Sequence, residues 1–185
     1  MKLSANKTVK KGFDFDMATH LLNLVEFEVA HIEDDQRQRV RYVSVIPKII
    51  AGVCPKCGEL CEDVHQKRER EVVDLPFGGF QTKLRVRFYQ FTCSICSKFF
   101  TQNFKEIASG VHATERFLER AAEMIKYSDI KSTSQFFQVS ESNLGRWYYE
   151  YVKRKQDMQA AEAKPIRAIG IDELSLKKSI DNSVL

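Results

Sequence analysis

Two pairs of cysteines with the same internal spacing constrain the fold of this chain more than any other feature. The first pair is Cys54 and Cys57, and the second is Cys93 and Cys96. Two residues separate the cysteines of each pair, so a tight turn directs both sulfur atoms toward one point. Two such turns supply four thiolates in a tetrahedral arrangement, which is the usual geometry of structural Zn²⁺. The sequence therefore predicts a four-cysteine zinc site.

The residues between the two pairs favour a zinc ribbon, in which two cysteine turns stand at the ends of a β-hairpin. Gly58 directly follows the first pair and suits the positive φ of such a turn. Two redox-active pairs, or a disulfide pair, are alternatives, but neither explains two matched turns that flank strand-like sequence. The fifth cysteine, Cys61, is either a spare thiol or a competitor of Cys57 as a ligand.

The overall composition limits the compartment and the partners. The chain has 185 residues, a formal net charge of +4 and a sequence pI near 8.7. This mildly basic balance permits a nucleic-acid partner without requiring one. The first residues lack the apolar segment of a secretory signal, and no apolar run approaches the roughly 20 residues that span a bilayer. We therefore expect a bacterial cytoplasmic protein without a membrane partner, with reduced cysteines that favour metal over disulfides.

Alternating polar and apolar residues predict a β-rich zinc-ribbon domain over residues 19–104, after a flexible leader at residues 1–18. Strands at residues 22–32 and 39–46 are expected to form a hairpin that leads into the first cysteine pair. Strands at residues 64–73 and 82–91 are separated by residues 74–79, where a proline and two glycines indicate a turn. The zinc ribbon would consist of this second hairpin and the two cysteine turns.

Three basic residues alternate along the last of these strands, at Lys83, Arg85 and Arg87. Because side chains two residues apart point to the same face of a strand, the three cations form a stripe. The stripe could contact the phosphates of DNA. Cross-strand pairing with Glu69 and Glu71 on a solvated face is an equally good interpretation.

Residues 105–156 predict a helix-turn-helix domain. Thr114 is the expected N-cap of a first helix, and Ser128 or Asp129 caps a short second helix that ends at Phe137. A break follows, and Ser140 caps a third helix. Two short helices joined by a tight turn behind a longer helix are typical of DNA-binding domains. A small helical hairpin with a solvated polar face is the alternative.

In a helix-turn-helix the last helix enters the major groove, and its first turns reach the base edges. Leu144 and Trp147 are expected in the core, whereas Asn143 can pair with adenine and Arg146 with guanine. The candidate DNA-binding residues of this helix are Ser142, Asn143, Arg146, Tyr149 and Lys153.

Residues 157–185 predict a linker followed by a short apolar strand that ends in an acidic pair, Asp172 and Glu173. This pattern indicates a buried strand with a carboxylate at its tip, but taken alone it is better explained as an ordinary strand end.

Taken together, these features resemble the N-terminal part of bacterial insertion-sequence transposases of the zinc-ribbon, DDE type. The resemblance covers residues 22–178. Besides the cysteine pairs and the helix-turn-helix, it rests on Asp74-Leu75-Pro76, Phe99-Phe100-Thr101, Ile169-Gly170-Ile171-Asp172-Glu173 and Lys177-Lys178.

The resemblance implies an α+β fold in which a zinc ribbon and a helix-turn-helix recognise the terminal inverted repeats of double-stranded transposon DNA. It also implies a C-terminal remnant strand of a ribonuclease-H-like domain. In the family, three carboxylates of that domain hold two divalent ions such as Mg²⁺, and Asp172 matches the first carboxylate.

The chain ends at Leu185, before the other two carboxylates. We therefore expect a truncated, DNA-binding fragment that does not catalyse transposition alone and that pairs with itself or with a full-length transposase. A transcriptional regulator, a protein-interaction module and the first-frame part of an enzyme completed by a second polypeptide are the alternatives.

Overall fold

The computed structural model describes residues 15–162, and the remnant strand, Asp172 and the first 14 residues lie outside this range. The described part has an α+β fold of four helices and seven strands. In chain order these are α1 (Phe15–Leu22), β1 (Phe27–Asp35), β2 (Val40–Pro47), β3 (Gly52–Val53), β4 (Leu60–Cys61), β5 (Val64–Phe77), β6 (Phe80–Thr92), β7 (Phe99–Thr101), α2 (Glu115–Tyr127), α3 (Ile130–Phe137) and α4 (Glu141–Glu162).

A five-stranded sheet joins the two predicted hairpins. Its order is β1-β2-β6-β5, and β7 pairs with the end of β6. β1 with β2 and β5 with β6 form antiparallel hairpins, whereas β2 runs parallel to β6. β3 and β4 form a separate two-stranded sheet beside the first cysteine turn. The existence of both hairpins agrees with the sequence pattern, but the parallel pairing between them is a long-range contact that the pattern does not contain.

Alternation along β6 gives the sheet one buried face and one charged face. Leu84, Val86 and Phe88 are buried beneath α1 and the segment after β7, which contributes Phe104 and Ile107. The intervening residues of β6 lie on the opposite face, together with their cross-strand neighbours on β5. At its centre the sheet therefore has one buried face and one face toward solvent, as is common in antiparallel sheets.

The expectations for residues 1–18 and 22–32 were partly wrong. Residues 15–22 form α1 rather than the end of a leader and the start of a strand, and β1 begins only at Phe27. Ala18 and Leu22, four residues apart, are buried against the sheet, so burial on one helix face overrides the local alternation. Asn23, with φ of 49°, then ends the helix.

The turn expected at residues 74–79 is shorter than the sequence indicates. β5 continues through Pro76 to Phe77, and only Gly78 and Gly79 connect it to β6. Both glycines have positive φ, 62° and 80°. Two central residues with positive φ are typical of the tight turn whose twist matches that of a β-hairpin. Pro76 lies next to this turn on an edge strand, where a missing N–H is tolerated.

The three C-terminal helices pack around one core, which includes Phe117, Phe137, Leu144 and Trp147. The predicted N-caps are confirmed at the first two helices. Thr114 accepts a hydrogen bond from the N–H of Phe117 (3.2 Å), and the carboxylate of Asp129 accepts one from Ser132 (2.8 Å). α3 is short, α4 is long, and the tight turn between them contains Gln138 in the left-handed conformation, with φ of 53°.

A buried carboxylate on β5 holds the first of these helices against the sheet. Asp74 is 1% exposed and accepts hydrogen bonds from the hydroxyl of Thr114 (2.7 Å) and from Nε of Arg116 (2.7 Å). Arg116 also donates to the backbone carbonyl of Leu22 at the end of α1. Asp74 therefore links the sheet to the N-cap of α2, although the sequence indicated Asp74 only as part of a turn.

No helix within residues 15–162 has the length and apolar character that crossing a membrane requires.

Replacing Asp74 by Asn is expected to lower the free energy of unfolding by about 2–3 kcal/mol, because the guanidinium of Arg116 loses its buried countercharge. Urea denaturation followed by circular dichroism measures the change. Glu123→Gln is the matched control, since it removes an exposed ion pair with Arg120 and should cost less than about 0.5 kcal/mol. Equal effects of the two substitutions would contradict the assignment of Asp74.

Candidate metal centre and nucleic-acid interface

The first cysteine turn is closed by backbone hydrogen bonds that place both sulfurs on its inner side. The N–H of Cys54 donates to the carbonyl of Glu59 (2.8 Å), and the N–H of Gly58 donates to the carbonyl of Cys54 (2.9 Å). Gly58 has φ of 77°, as the sequence predicted for this position. β3 and β4 flank the turn and fix its two ends.

The second cysteine turn repeats this geometry between β6 and β7. The N–H of Cys93 donates to the carbonyl of Lys98 (3.0 Å), and the N–H of Ser97 donates to the carbonyl of Cys93 (2.9 Å). Ser97 takes the place of the glycine and has φ of 54°. The two turns are thus equivalent in backbone structure although their sequences differ between the cysteines.

The four sulfur atoms of Cys54, Cys57, Cys93 and Cys96 lie within 4.8 Å of one another. The contacts run between the turns, with 3.5 Å from Cys54 to Cys96 and 3.4 Å from Cys57 to Cys93. Tetrahedral Zn²⁺ with bonds of about 2.3 Å requires sulfurs about 3.8 Å apart. The donor set and its spacing therefore fit a structural zinc ion, which would cross-link the two turns.

At Cys93, one of the four ligands, local hydrogen bonds favour the thiolate form that a metal requires. The backbone N–H of Cys96 and, to a smaller extent, the thiol of Cys57 lower the pKa of Cys93 to about 6, although burial opposes the shift. A thiolate at one ligand position before the metal arrives reduces the protons that binding must displace.

A small cluster of aromatic residues packs against the cysteines. Tyr89 and Phe91 of β6 are buried together with Cys61, and the ring of Phe100 lies 5.8 Å from that of Phe91. A Cβ atom at Gly52 would lie only 2.8 Å from the Phe100 ring, so this glycine allows β3 to approach the aromatic residues. No pattern in the sequence marks Gly52, because its role depends on residues far along the chain.

Cys61 is not part of the sulfur group. Its side chain is 5% exposed, and its Sγ lies 3.6 Å from the carbonyl oxygen of Glu59. The group of four sulfurs within residues 15–162 consists of the two pairs alone. This geometry favours the interpretation of Cys61 as a spare buried thiol over that of a competing ligand.

The basic stripe on β6 is only partly available to a partner. Lys83 and Arg85 are half-buried, and both contact the carboxylate of Glu71, at 3.8 and 3.5 Å. Arg85 also pairs with Glu33 at 3.2 Å and stacks 4.1 Å from the ring centre of Tyr42. Cross-strand ion pairing, one of the two interpretations of the stripe, therefore occurs at these two residues.

Arg87, the third member of the stripe, is exposed and forms none of the ion pairs found within residues 15–162. Each cysteine turn adds one exposed lysine, Lys56 in the first and Lys98 in the second. The sequence does not mark these two lysines, since isolated lysines in turns carry no distinctive pattern. Exposed carboxylates at Glu59, Glu62 and Asp63 offset these cations in the zinc module, which comprises the two cysteine turns with β3, β4 and β7.

The candidate residues on α4 share one solvent-exposed side of the helix. Leu144 and Trp147 are buried, as expected, at 0% and 4% exposure. Arg154 is bound to Glu115 of α2 at 2.6 Å, so it is held within the helical unit, which consists of α2, α3 and α4. The exposed candidates are Ser142, Asn143, Arg146, Tyr149 and Lys153. The catalytic candidate Asp172 lies outside the described residues.

Four cysteine sulfurs held by paired turns at the end of a β-hairpin define a zinc-ribbon type of metal-binding protein. Residues 51–96, which include both pairs, match the family described as the zinc-finger of transposase IS204/IS1001/IS1096/IS1165. The resemblance to insertion-sequence transposases that the sequence indicates is thus confirmed for the zinc module.

A longer similarity extends beyond this module. The chain is 23% identical over 150 residues, 79% of its length, to the transposase for insertion sequence element IS1001 of Bordetella parapertussis. The matched part is 35% of that relative, so the chain spans about a third of the transposase it resembles. No solved structure matches the chain.

Replacing Cys93 by Ser is expected to abolish stoichiometric zinc and to melt the zinc module at a lower temperature, because metal binding supplies folding free energy to such modules. Metal content by mass spectrometry and thermal unfolding with and without a chelator test this expectation. Cys61→Ala is the matched control and should retain one zinc ion per chain. Zinc retained by the Cys93 variant, or lost by the control, would contradict the assignment of the ligands.

Proposed function

We propose that this chain is the DNA-recognition part of an insertion-sequence transposase, and that it binds the terminal inverted repeats of its element. The observation that carries the proposal is the row of exposed polar side chains on α4, which stands on a packed three-helix core beside a zinc module similar to those of transposases. α3, the turn at Gln138 and α4 would act as the helix-turn-helix.

Within this proposal α4 is the recognition helix. The amide of Asn143 can form two hydrogen bonds with adenine, and the guanidinium of Arg146 can form two with guanine. Tyr149 and Lys153 lie further along the same exposed side and are suited to sugar and phosphate contacts. Asp172 is a candidate catalytic residue only within a complete transposase that also binds a divalent ion such as Mg²⁺.

The proposal is tested by binding of the zinc-loaded chain to duplexes that carry the inverted repeats of its own element. We expect affinity for these ends to exceed affinity for random duplexes and to fall with salt, because basic side chains displace counterions from DNA. Equal affinity for both kinds of duplex would contradict terminal-repeat recognition, whereas the absence of binding to either would contradict DNA binding.

Replacing Arg146 by Ala is expected to reduce discrimination at one base pair by about 1–3 kcal/mol, since a bidentate contact to guanine would be lost. Competition binding against duplexes with single base changes measures this effect. Arg120→Ala is the matched control, because Arg120 is also an exposed arginine on a helix but pairs with Glu123. The same loss of discrimination in both variants would show that Arg146 does not read a base.

The surface of the zinc module favours contact with a second copy of the chain as an additional candidate function. Its two turns and their flanking strands expose the apolar side chains of Val53, Leu60, Ile95 and Phe99 by more than half. Exposed apolar residues concentrated on one small module are typical of protein contacts.

If this surface pairs two chains, the double variant Leu60→Asp with Ile95→Asp should shift the protein to the monomer in sedimentation velocity, while its zinc content stays unchanged. The matched control replaces two exposed apolar residues of the helical unit, Tyr127 and Phe136, by Asp. A wild-type chain that sediments as a monomer at all concentrations would remove this candidate.

A further inference from the structure

The turn between β1 and β2 carries two exposed arginines. It consists of residues 36–39, and the carboxylate of Asp35 fixes it by accepting hydrogen bonds from the N–H groups of Arg37 (2.9 Å) and Gln38 (3.0 Å). Arg37 and Arg39 are both exposed, and neither forms one of the ion pairs found within residues 15–162. We refer to these two arginines as the basic tip.

The parallel pairing of β2 with β6 places the basic tip beside the turn between β5 and β6. Val40 is the register partner of Gln81, so the two turns lie at the same end of the sheet. The guanidinium of Arg39 donates to the carbonyl of Gly79 (3.0 Å) and lies 6.0 Å from the ring centre of Phe80. Arg39 is therefore held in position by the neighbouring turn and still keeps an exposed charge.

Gln81 connects the basic tip to the segment that precedes α4. Its backbone N–H donates to the carbonyl of Arg39 (2.9 Å), and its Nε2 donates to the carbonyls of Phe137 (3.0 Å) and Gln138 (3.2 Å). α4 begins at Glu141, three residues after Gln138, and three residues span at most about 11 Å of chain. The basic tip therefore lies close to the end of α4 where the helix begins.

The local charges favour a phosphate as the ligand of the basic tip. The carboxylates that precede the β1–β2 turn are already engaged, since Asp34 pairs with Arg41 at 2.7 Å and Asp35 binds backbone N–H groups. α4 starts with the exposed carboxylate of Glu141, so phosphates beside this helix end need cations from another element. Phosphates line both edges of a major groove that is about 12 Å wide, which brings them near any side chain beside an inserted helix end.

We infer that the basic tip binds DNA phosphates beside the base pairs that the first turns of α4 read. Arg37 and Arg39 would fix the position of the helix on the duplex without reading sequence themselves, because phosphates are the same at every base pair. This inference rests on the proposed DNA binding by α4, and it adds a phosphate-binding surface that belongs to the sheet.

The first test removes both charges in the double variant Arg37→Ala with Arg39→Gln, in which the glutamine keeps a donor for the carbonyl of Gly79. Binding of the zinc-loaded chain to duplexes with the terminal repeats of its element is measured across a salt series. We expect affinity to fall at least about tenfold at the lowest salt. The slope of log affinity against log salt should become shallower by about 2, since each phosphate contact contributes about 0.9.

The matched control is Arg68→Ala with Arg120→Gln, which removes two exposed arginines from β5 and α2 and changes the net charge equally. Its salt slope should change by less than about 0.5, because neither arginine belongs to the basic tip. Arg37→Lys with Arg39→Lys keeps both charges and should restore the wild-type slope, since lysine also binds phosphate. Discrimination between single base changes should be the same in all three variants.

The second test locates the phosphates. Single uncharged methylphosphonates are placed at successive positions of the bound duplex, and each duplex is bound by the wild-type chain and by Arg37→Ala with Arg39→Gln. We expect some methylphosphonates to weaken the wild-type chain but not the variant. These positions should lie within about five base pairs, half a helical turn, of the base pair whose discrimination Arg146→Ala reduces.

The outcomes separate this inference from the function on which it rests. The inference is overturned if the control loses as much affinity as the basic-tip variant, if every methylphosphonate affects both chains equally, or if the affected phosphates lie further away. In these cases a preference for the terminal repeats leaves the proposed function intact. If the wild-type chain prefers no duplex, or if Arg146→Ala changes discrimination at no base pair, the proposed recognition by α4 fails and the inference with it.

Discussion

The antiparallel pairing of β5 with β6 is the interaction on which the rest of the structure depends. These are the longest strands of the sheet, with 14 and 13 residues, and only two glycines connect them. Their turn end carries Asp74 and Gln81, which hold the helical unit, and their open end carries the aromatic core of the zinc module. A shift of register by one residue would exchange the two faces and disrupt both attachments.

Charged residues at the centre of the sheet pair with one another and so stabilise the fold. Acidic side chains neutralise Lys83 and Arg85, and Tyr42 covers the guanidinium of Arg85. The first half of β5 is exposed on both faces and rich in charge, which protects this edge strand from pairing with other chains. Cations without an ion pair among the described residues remain at Arg87, Lys56 and Lys98, and exposed carboxylates at Glu59, Glu62 and Asp63 lie near the first cysteine turn.

Much of the site could be predicted because its chemistry is local. A cysteine turn of two intervening residues specifies its own sulfur positions, and N-caps such as Thr114 and Asp129 act on N–H groups within three residues. Residues such as Gly52 and Gln81 could not be predicted. Gly52 acts on Phe100, and Gln81 acts on the turn at Gln138, so their roles exist only after distant segments have met.

The sequence by itself determined the two hairpins, the four sulfur ligands and the three helices that follow, because each follows from periodicity or spacing among near neighbours. Only the tertiary structure decided that α1 replaces the start of a strand, that β2 lies parallel to β6, and that Gln81 of the sheet contacts the end of α3. The physical reason is that apolar burial and hydrogen-bond satisfaction are properties of the assembled chain, which can override local preference at a modest cost in free energy.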